Sequence, residues 1–187
     1  MNESLLARRY AKALLSYATE VGEAGVLYPI MDRLWRELRP EPSVREVVSN
    51  PTLSGEQRAA YVVALAGGGA ESVPESLRRF VDLVFAHRRQ SLLGAMGRAY
   101  VELYRKACNI THAQLITATE IDSSTRSQIE RLVAEEFGGT VELVVEIDRE
   151  IIGGFLLRVG GRLMDGSVKG QLERIRQQFI TKNRSIV

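Results

Sequence analysis

The segment YRKACNITHAQLITAT, residues 104–119, decides the fold, because the hydrophobic period changes inside it. Up to Cys108, apolar residues recur every three or four positions, as in helices with one buried face. From Ala113 to Thr119 the chain turns to Ile, Leu and Thr, which suit an extended strand. The change predicts a two-domain α+β protein: residues 1–108 as an N-terminal six-helix bundle and residues 109–187 as a small C-terminal α/β domain.

Working upstream, Ser4 is placed as the N-cap of a first helix running to Val21, with Gly22 and Gly25 as stops. A second is expected from Val26 to Leu38, carrying Ile30, Leu34 and Leu38 at four-residue spacing and ended by Pro40 and Pro42. A short helix is expected over Val44 to Val48. Ser54 can cap the next, which puts Tyr61, Val62 and Leu65 on one side and breaks at Gly67-Gly68-Gly69. Pro74 suits the first turn of a helix reaching His87, and a sixth runs from near Ser91 to Cys108.

Downstream, Asp122-Ser123-Ser124 offers caps for a helix with Ile129, Leu132, Val133 and Phe137 on one face. Gly138-Gly139 ends it. Thr140 to Ile147 alternates as a strand, with Val141, Leu143, Val145 and Ile147 against Glu142 and Glu146. A further strand is expected over Phe155 to Val159, then a hairpin at Gly160-Gly161 leading to Leu163-Met164. The last helix opens at Asp165-Gly166-Ser167 and aligns Val168, Leu172, Ile175 and Phe179.

Composition removes several function classes. The 187 residues carry 25 Lys+Arg against 23 Asp+Glu, a formal charge of +2, so no large excess of base is available for a phosphate-binding surface. No unbroken apolar run reaches the roughly 18 residues a membrane-spanning helix needs. One cysteine cannot form an internal disulfide, and with two histidines it cannot supply a four-ligand Cys/His zinc site. Arg8, Arg9 and Lys12 interrupt the first apolar residues, unlike a secretory signal. The expectation is a cytoplasmic bacterial chain.

No catalytic constellation stands out, and no cofactor or metal is expected. The glycine runs lack the Gly-Lys-Ser/Thr ending of a phosphate loop and are read as helix stops and strand bends. Asp148 and Asp165 sit at turns, where capping accounts for them more simply than paired acid–base work. His87 follows a helix beside Arg88 and Arg89. His112 has no nucleophile in a triad-like order, and Cys108 has the neighbourhood of a small core residue.

The most informative helix is the first. At 100° per residue, Leu6, Tyr10, Ala13 and Tyr17 form one stripe, and Ala7, Ala11, Leu14, Ala18 and Val21 form a second. Together they span an arc of about 200°, where a surface helix typically needs about 100°. Either neighbouring helices cover both stripes, or one stripe is left open as a groove for a foreign amphipathic helix. The helix from Pro74 is similar: Leu77, Val81, Val84 and Phe85 make one face, extended by Phe80 and Leu83.

At these residues the chain resembles the delta-subunit family of F-type ATP synthases, whose mitochondrial relative is the oligomycin sensitivity conferral protein. Three blocks carry the resemblance: Ala7-Arg8-Arg9-Tyr10-Ala11-Lys12-Ala13-Leu14; Phe80 through Arg88-Arg89 to Leu92-Leu93; and Val145 through Gly153-Gly154-Phe155 to Asp165-Gly166-Ser167-Val168-Lys169-Gly170-Gln171-Leu172. They occur in the family's order along essentially the whole chain. One departure is His87-Arg88-Arg89, where the family often has Asn or Gly before a single arginine.

The resemblance implies a non-catalytic peripheral-stalk subunit. It would tie the catalytic alpha/beta hexamer to the membrane-anchored b subunits, so that torque is resisted during ATP synthesis. It implies a groove between the first helix and the helix from Pro74, which would hold the N-terminal helix of an alpha subunit. The residues carried over are Tyr10, Ala13, Leu14 and Tyr17 with Val81, Val84 and Phe85. The C-terminal domain would meet the C-terminal ends of the b subunits, with Gly153, Gly154, Asp165, Gly166 and Ser167 shaping its scaffold. Location would be the cytoplasmic face of a bacterial membrane, reached only through the complex, with no nucleic acid and no small-molecule ligand. A second hypothesis is a regulatory or RNA-associated helical module using Arg88, Arg89, Arg98 and Arg105 as a basic stripe.

Overall fold

A computed structural model describes residues 3–38, 50, 52–68 and 73–174. The chain is α+β and divides into two compact units, Met1–Ala107 and Cys108–Val187. The short helix expected over Val44–Val48 lies outside the described residues, as do Gly69, Ile175 and Phe179.

The first unit contains α1 (Glu3–Glu20), α2 (Ala24–Glu37), α3 (Gly55–Gly67), α4 (Glu75–Ala86), a 3-10 turn (Gln90–Leu92) and α5 (Leu93–Ala107). α1 already runs through Ser4, so that residue is not its cap. Ser54 does cap α3: its hydroxyl accepts from Gln57 N–H, and the Gln57 side chain accepts from Ser54 N–H. Pro74 is the N-cap of α4 rather than its first residue.

The core of this unit gathers Ala7, Ala11, Leu14 and Ala18 of α1 with Leu27, Met31 and Leu34 of α2 and Leu93, Met96, Tyr100 and Val101 of α5. Ala59, Val62 and Ala66 of α3 and Leu77, Phe80, Val81 and Val84 of α4 complete it. Gly97 sets the α2–α5 crossing, since a Cβ there would lie 3.0 Å from the Met31 carbonyl oxygen and 3.1 Å from Trp35 Cβ. Tyr100 is fully buried, and its hydroxyl donates to the Ala24 carbonyl at 3.0 Å. That bond meets the requirement that a buried hydroxyl be paired.

The second unit contains β1 (Ile110–Thr117), α6 (Ser123–Phe137), β2 (Thr140–Ile147), a 3-10 turn (Arg149–Ile151), β3 (Phe155–Val159) and β4 (Arg162–Asp165). Residues 168–174 are helical. The sheet order is β2-β1-β3-β4. β1 and β2 are parallel and joined through α6, while β3 runs antiparallel to β1 and β4 antiparallel to β3. β1 starts three residues earlier than expected because Ile110 already pairs with Thr140, whose N–H donates to the Asn109 carbonyl.

Asp122 caps α6 by accepting from Thr125 N–H at 2.8 Å. Val133 is buried against Ala113, Leu115, Leu143, Leu157 and Val159, with Ile129 and Phe137 at the edge. Leu132, expected on this face, is 63% exposed. It stands one position before Val133, so it is turned 100° away from the row that meets the sheet.

Candidate functional site

The two stripes of α1 have different fates. Ala7, Ala11, Leu14 and Ala18 face the core, whereas Ala13 is exposed and Tyr10 and Tyr17 are half-buried. Val21, grouped with the core stripe in the sequence, is exposed where the helix has ended.

The outer stripe borders α4. Arg79, in the second turn of α4, donates to the Tyr17 hydroxyl at 3.0 Å. Arg89, just past the end of α4, donates to the Tyr10 hydroxyl at 2.6 Å and lies over its ring, 5.3 Å from the centroid. The two helices therefore run antiparallel along this edge. Leu83 and Ala86 share a helix face with Arg79 by four- and three-residue steps. Leu83 is 48% exposed. Between the two tyrosine–arginine pairs, this edge carries exposed Ala13 on α1 and exposed Leu83 on α4, an apolar strip.

The other predicted groove residues lie elsewhere. Leu14, Val81 and Val84 are buried in the core. Phe85 is half-buried on the opposite flank of α4, where Arg58 of α3 lies over its ring at 5.6 Å. Sequence reasoning did not assign Arg79, Leu83, Ala86 or Arg89 to the strip. The 79/83/86 spacing was a readable signal, but periodicity does not say which flank of α4 meets α1.

Electrostatics help fix the frame of the strip. Arg79 is also paired with Glu75 at 3.0 Å. The hydrogen bond that Arg79 donates to Glu75, and then its electrostatic interaction with Tyr17, hold the Arg79 pKa above its ordinary value. At the same end, Ser76 N–H donates to the Glu23 carboxylate at 3.1 Å, which caps α4 from the loop between α1 and α2. The Ser76 side chain beside that carboxylate, and then its N–H, hold the Glu23 pKa below the ordinary range. At the far end, Arg88 N–H bonds to the Phe85 carbonyl and Arg89 N–H to the Val84 carbonyl, both at 2.9 Å. With Arg88 at φ 54°, this is a Schellman turn, and it sends Arg89 back over α1.

In the second unit, Gly153-Gly154 and Asp165-Gly166-Ser167 meet one another. Gly154 sits at φ 76°, and a Cβ there would lie 2.2 Å from the Gly166 carbonyl oxygen. Val168 N–H donates to the Gly153 carbonyl at 3.0 Å. Asp165 accepts from the Ser167 hydroxyl at 2.7 Å and from its N–H at 2.9 Å, and both interactions lower the Asp165 pKa. The Ser167 oxygen in turn accepts from Gly170 N–H at 3.0 Å, capping the following helical residues.

Among the described residues no group of three His, Cys, Asp or Glu side chains could hold a metal, and no helix is long and apolar enough to cross a membrane. Three arginines of the supposed basic stripe are separately engaged through their side chains, and the fourth is placed by its backbone. Arg89 is on Tyr10, Arg98 pairs with Glu102, Arg105 donates to the Tyr28 hydroxyl, and Arg88 forms the turn.

Comparison with known proteins is consistent along the whole chain. Residues 6–179 match the model of the ATP synthase delta (OSCP) subunit family. The ATP synthase subunit delta of Phocaeicola vulgatus is 39% identical over 98% of both chains. That of Bacteroides thetaiotaomicron is 38% identical over the full length of both. In fold, the chain is similar to a chain of the Toxoplasma gondii mitochondrial ATP synthase hexamer, with TM-score 0.65, 21% identity, and coverage of 94% of this chain and 97% of that one.

Proposed function

The chain belongs to the ATP synthase delta (OSCP) subunit family and is a non-catalytic peripheral-stalk subunit of ATP synthase; from that premise we propose how its two units are used. The strip between α1 and α4 receives the N-terminal amphipathic helix of an alpha subunit. The second unit meets the C-terminal ends of the b subunits, and its Gly153-Gly154 and Asp165-Gly166-Ser167 contact shapes that scaffold. The protein thereby links the catalytic hexamer to the membrane-anchored b subunits on the cytoplasmic face. The six-helix organisation of the first unit belongs to the same proposal; five helices are described.

The observation that carries the proposal is the open stripe of α1. Tyr10, Ala13 and Tyr17 stay outside the core along the edge where Tyr10 and Tyr17 are held by Arg89 and Arg79, with Leu83 of α4 exposed, while the adjacent stripe of α1 is used by the core. An apolar strip beside a packed helix supports the docking of a second amphipathic helix. A small residue at its centre allows close approach, and tyrosines give large contact area with a polar tip. A stator has to stay bound while torque is applied, so slow dissociation is the property such a strip must provide.

The test is reconstitution with the alpha/beta hexamer of the same organism. The expected result is a stable complex of one chain per hexamer, lost when the alpha N-terminal helix is deleted. Stable binding to a hexamer without those helices would refute the groove assignment. The nucleic-acid alternative predicts affinity for RNA that falls steeply with salt. Family membership does not support it.

A further inference from the structure

We propose that Arg89, together with the Tyr10 hydroxyl, grips a carboxylate on the docked helix and so sets which way round and in what register that helix lies. The inference rests on the strip between α1 and α4 being a docking groove, and it adds the chemistry of the occupant.

The two ends of the strip differ in charge. Arg79 is neutralised by Glu75 at 3.0 Å while it also holds Tyr17. Arg89 is half-buried, and among the described residues its hydrogen-bond partner is the neutral Tyr10 hydroxyl, with no carboxylate in salt-bridge range. A guanidinium has five N–H donors, and one bond to a phenol leaves most of them unused. The Tyr10 oxygen accepts from Arg89 and keeps its own hydrogen free to donate. The Arg89–Tyr10 hydrogen bond of 2.6 Å keeps these two groups together at one end of the strip, and the remaining guanidinium N–H groups with the phenol hydrogen are donors suited to a carboxylate.

Placement also keeps Arg89 at the strip. The Schellman turn at Arg88 carries Arg89 back over α1 rather than away into solvent, and stacking on the Tyr10 ring holds the guanidinium there. An apolar helix would slide in a strip flanked by Ala13 and Leu83. A single ion pair at one end removes that freedom, because the reversed or shifted helix leaves a partly desolvated arginine unpaired.

The experiment uses the full chain and a synthetic peptide of its own alpha subunit's N-terminal helix. Each Glu or Asp of the peptide is changed in turn to Gln or Asn. Arg89→Gln is expected to bind the unmodified peptide about tenfold more weakly. One amide peptide should lose about as much against the natural chain and nothing further against Arg89→Gln. The salt dependence of binding should also flatten in Arg89→Gln. Should Arg89→Gln fold poorly in a thermal melt, Tyr10→Phe keeps the ring and removes one donor; a several-fold loss confined to the same peptide position is then expected. Natural affinity in Arg89→Gln while Ala13→Trp abolishes binding would overturn the carboxylate grip and leave the groove standing. Natural affinity in both variants would overturn the groove itself.

Discussion

Ala13→Trp separates a docking strip from a core, and its size can be worked from two alanines of one helix. Ala18 is 0% exposed, while Ala13, five residues earlier, is exposed beside Tyr10 and Tyr17. In the free protein, Trp at Ala13 meets solvent and loses only helix propensity, about 0.5 kcal/mol. For a unit of this size that is roughly 2–4 °C in the melting transition. In the proposed complex the same side chain would stand where a docked helix must approach within about 8–10 Å between axes. If it lifts the helix enough to expose even about 100 Å² of apolar surface, the loss is about 2.5 kcal/mol, or roughly 70-fold in Kd. Ala18→Trp should do the reverse, overpacking the core by about 1–3 kcal/mol or more. Circular dichroism melts give the first quantity, and calorimetry with the alpha N-terminal peptide gives the second. The reasoning fails if Ala13→Trp binds the peptide like the natural chain, or if it loses folding stability on the scale of Ala18→Trp.

Three further outcomes follow from individual contacts. Gly154→Ala should destabilise the second unit by about 3 kcal/mol or more, since the left-handed φ alone costs about 1–2 kcal/mol and the added Cβ collides with the Gly166 carbonyl; a denaturant titration of the second unit that moved little would disprove the contact. Arg88→Gly should stabilise the first unit by about 1 kcal/mol by relieving φ 54°, read as a rise in its melting temperature, and an unchanged or lower value would count against strain at that turn. Glu23, Asp122 and Asp165 all have lowered pKa values in the folded state. Their contribution is therefore complete above the ordinary carboxylate range and is lost as pH falls through the folded values. Asp122→Asn, which keeps an N-cap but cannot titrate, should flatten part of the acid limb of a stability–pH curve, and an unchanged slope would contradict the Asp122 assignment.

What could be read from the sequence was local. The helix caps at Ser54 and Asp122 form between residues three apart, and the strand over Thr140–Ile147 shows its alternation directly. The change of period near Cys108 falls where α5 ends and β1 begins. The roughly 200° apolar arc of α1 was visible as an excess. Which part of it is core was not visible, because α1 alone does not reveal where α2, α4 and α5 will lie.

Tertiary packing made that choice. It buried Ala7, Ala11, Leu14 and Ala18, left Ala13 outside, and turned Phe85 toward Arg58 of α3 while Arg79, on the helix face of Leu83, reached α1. It brought Arg79 to Tyr17 and Arg89 to Tyr10, and Ser76 to Glu23, pairs separated by 62, 79 and 53 residues. Periodicity and capping are set by hydrogen bonds and side-chain spacing within a few turns, so the sequence alone determined most of the described elements and the change from helical to mixed structure near Cys108. Contacts over such separations depend on how helices cross, and only the folded chain decided which apolar stripe stayed outside the core.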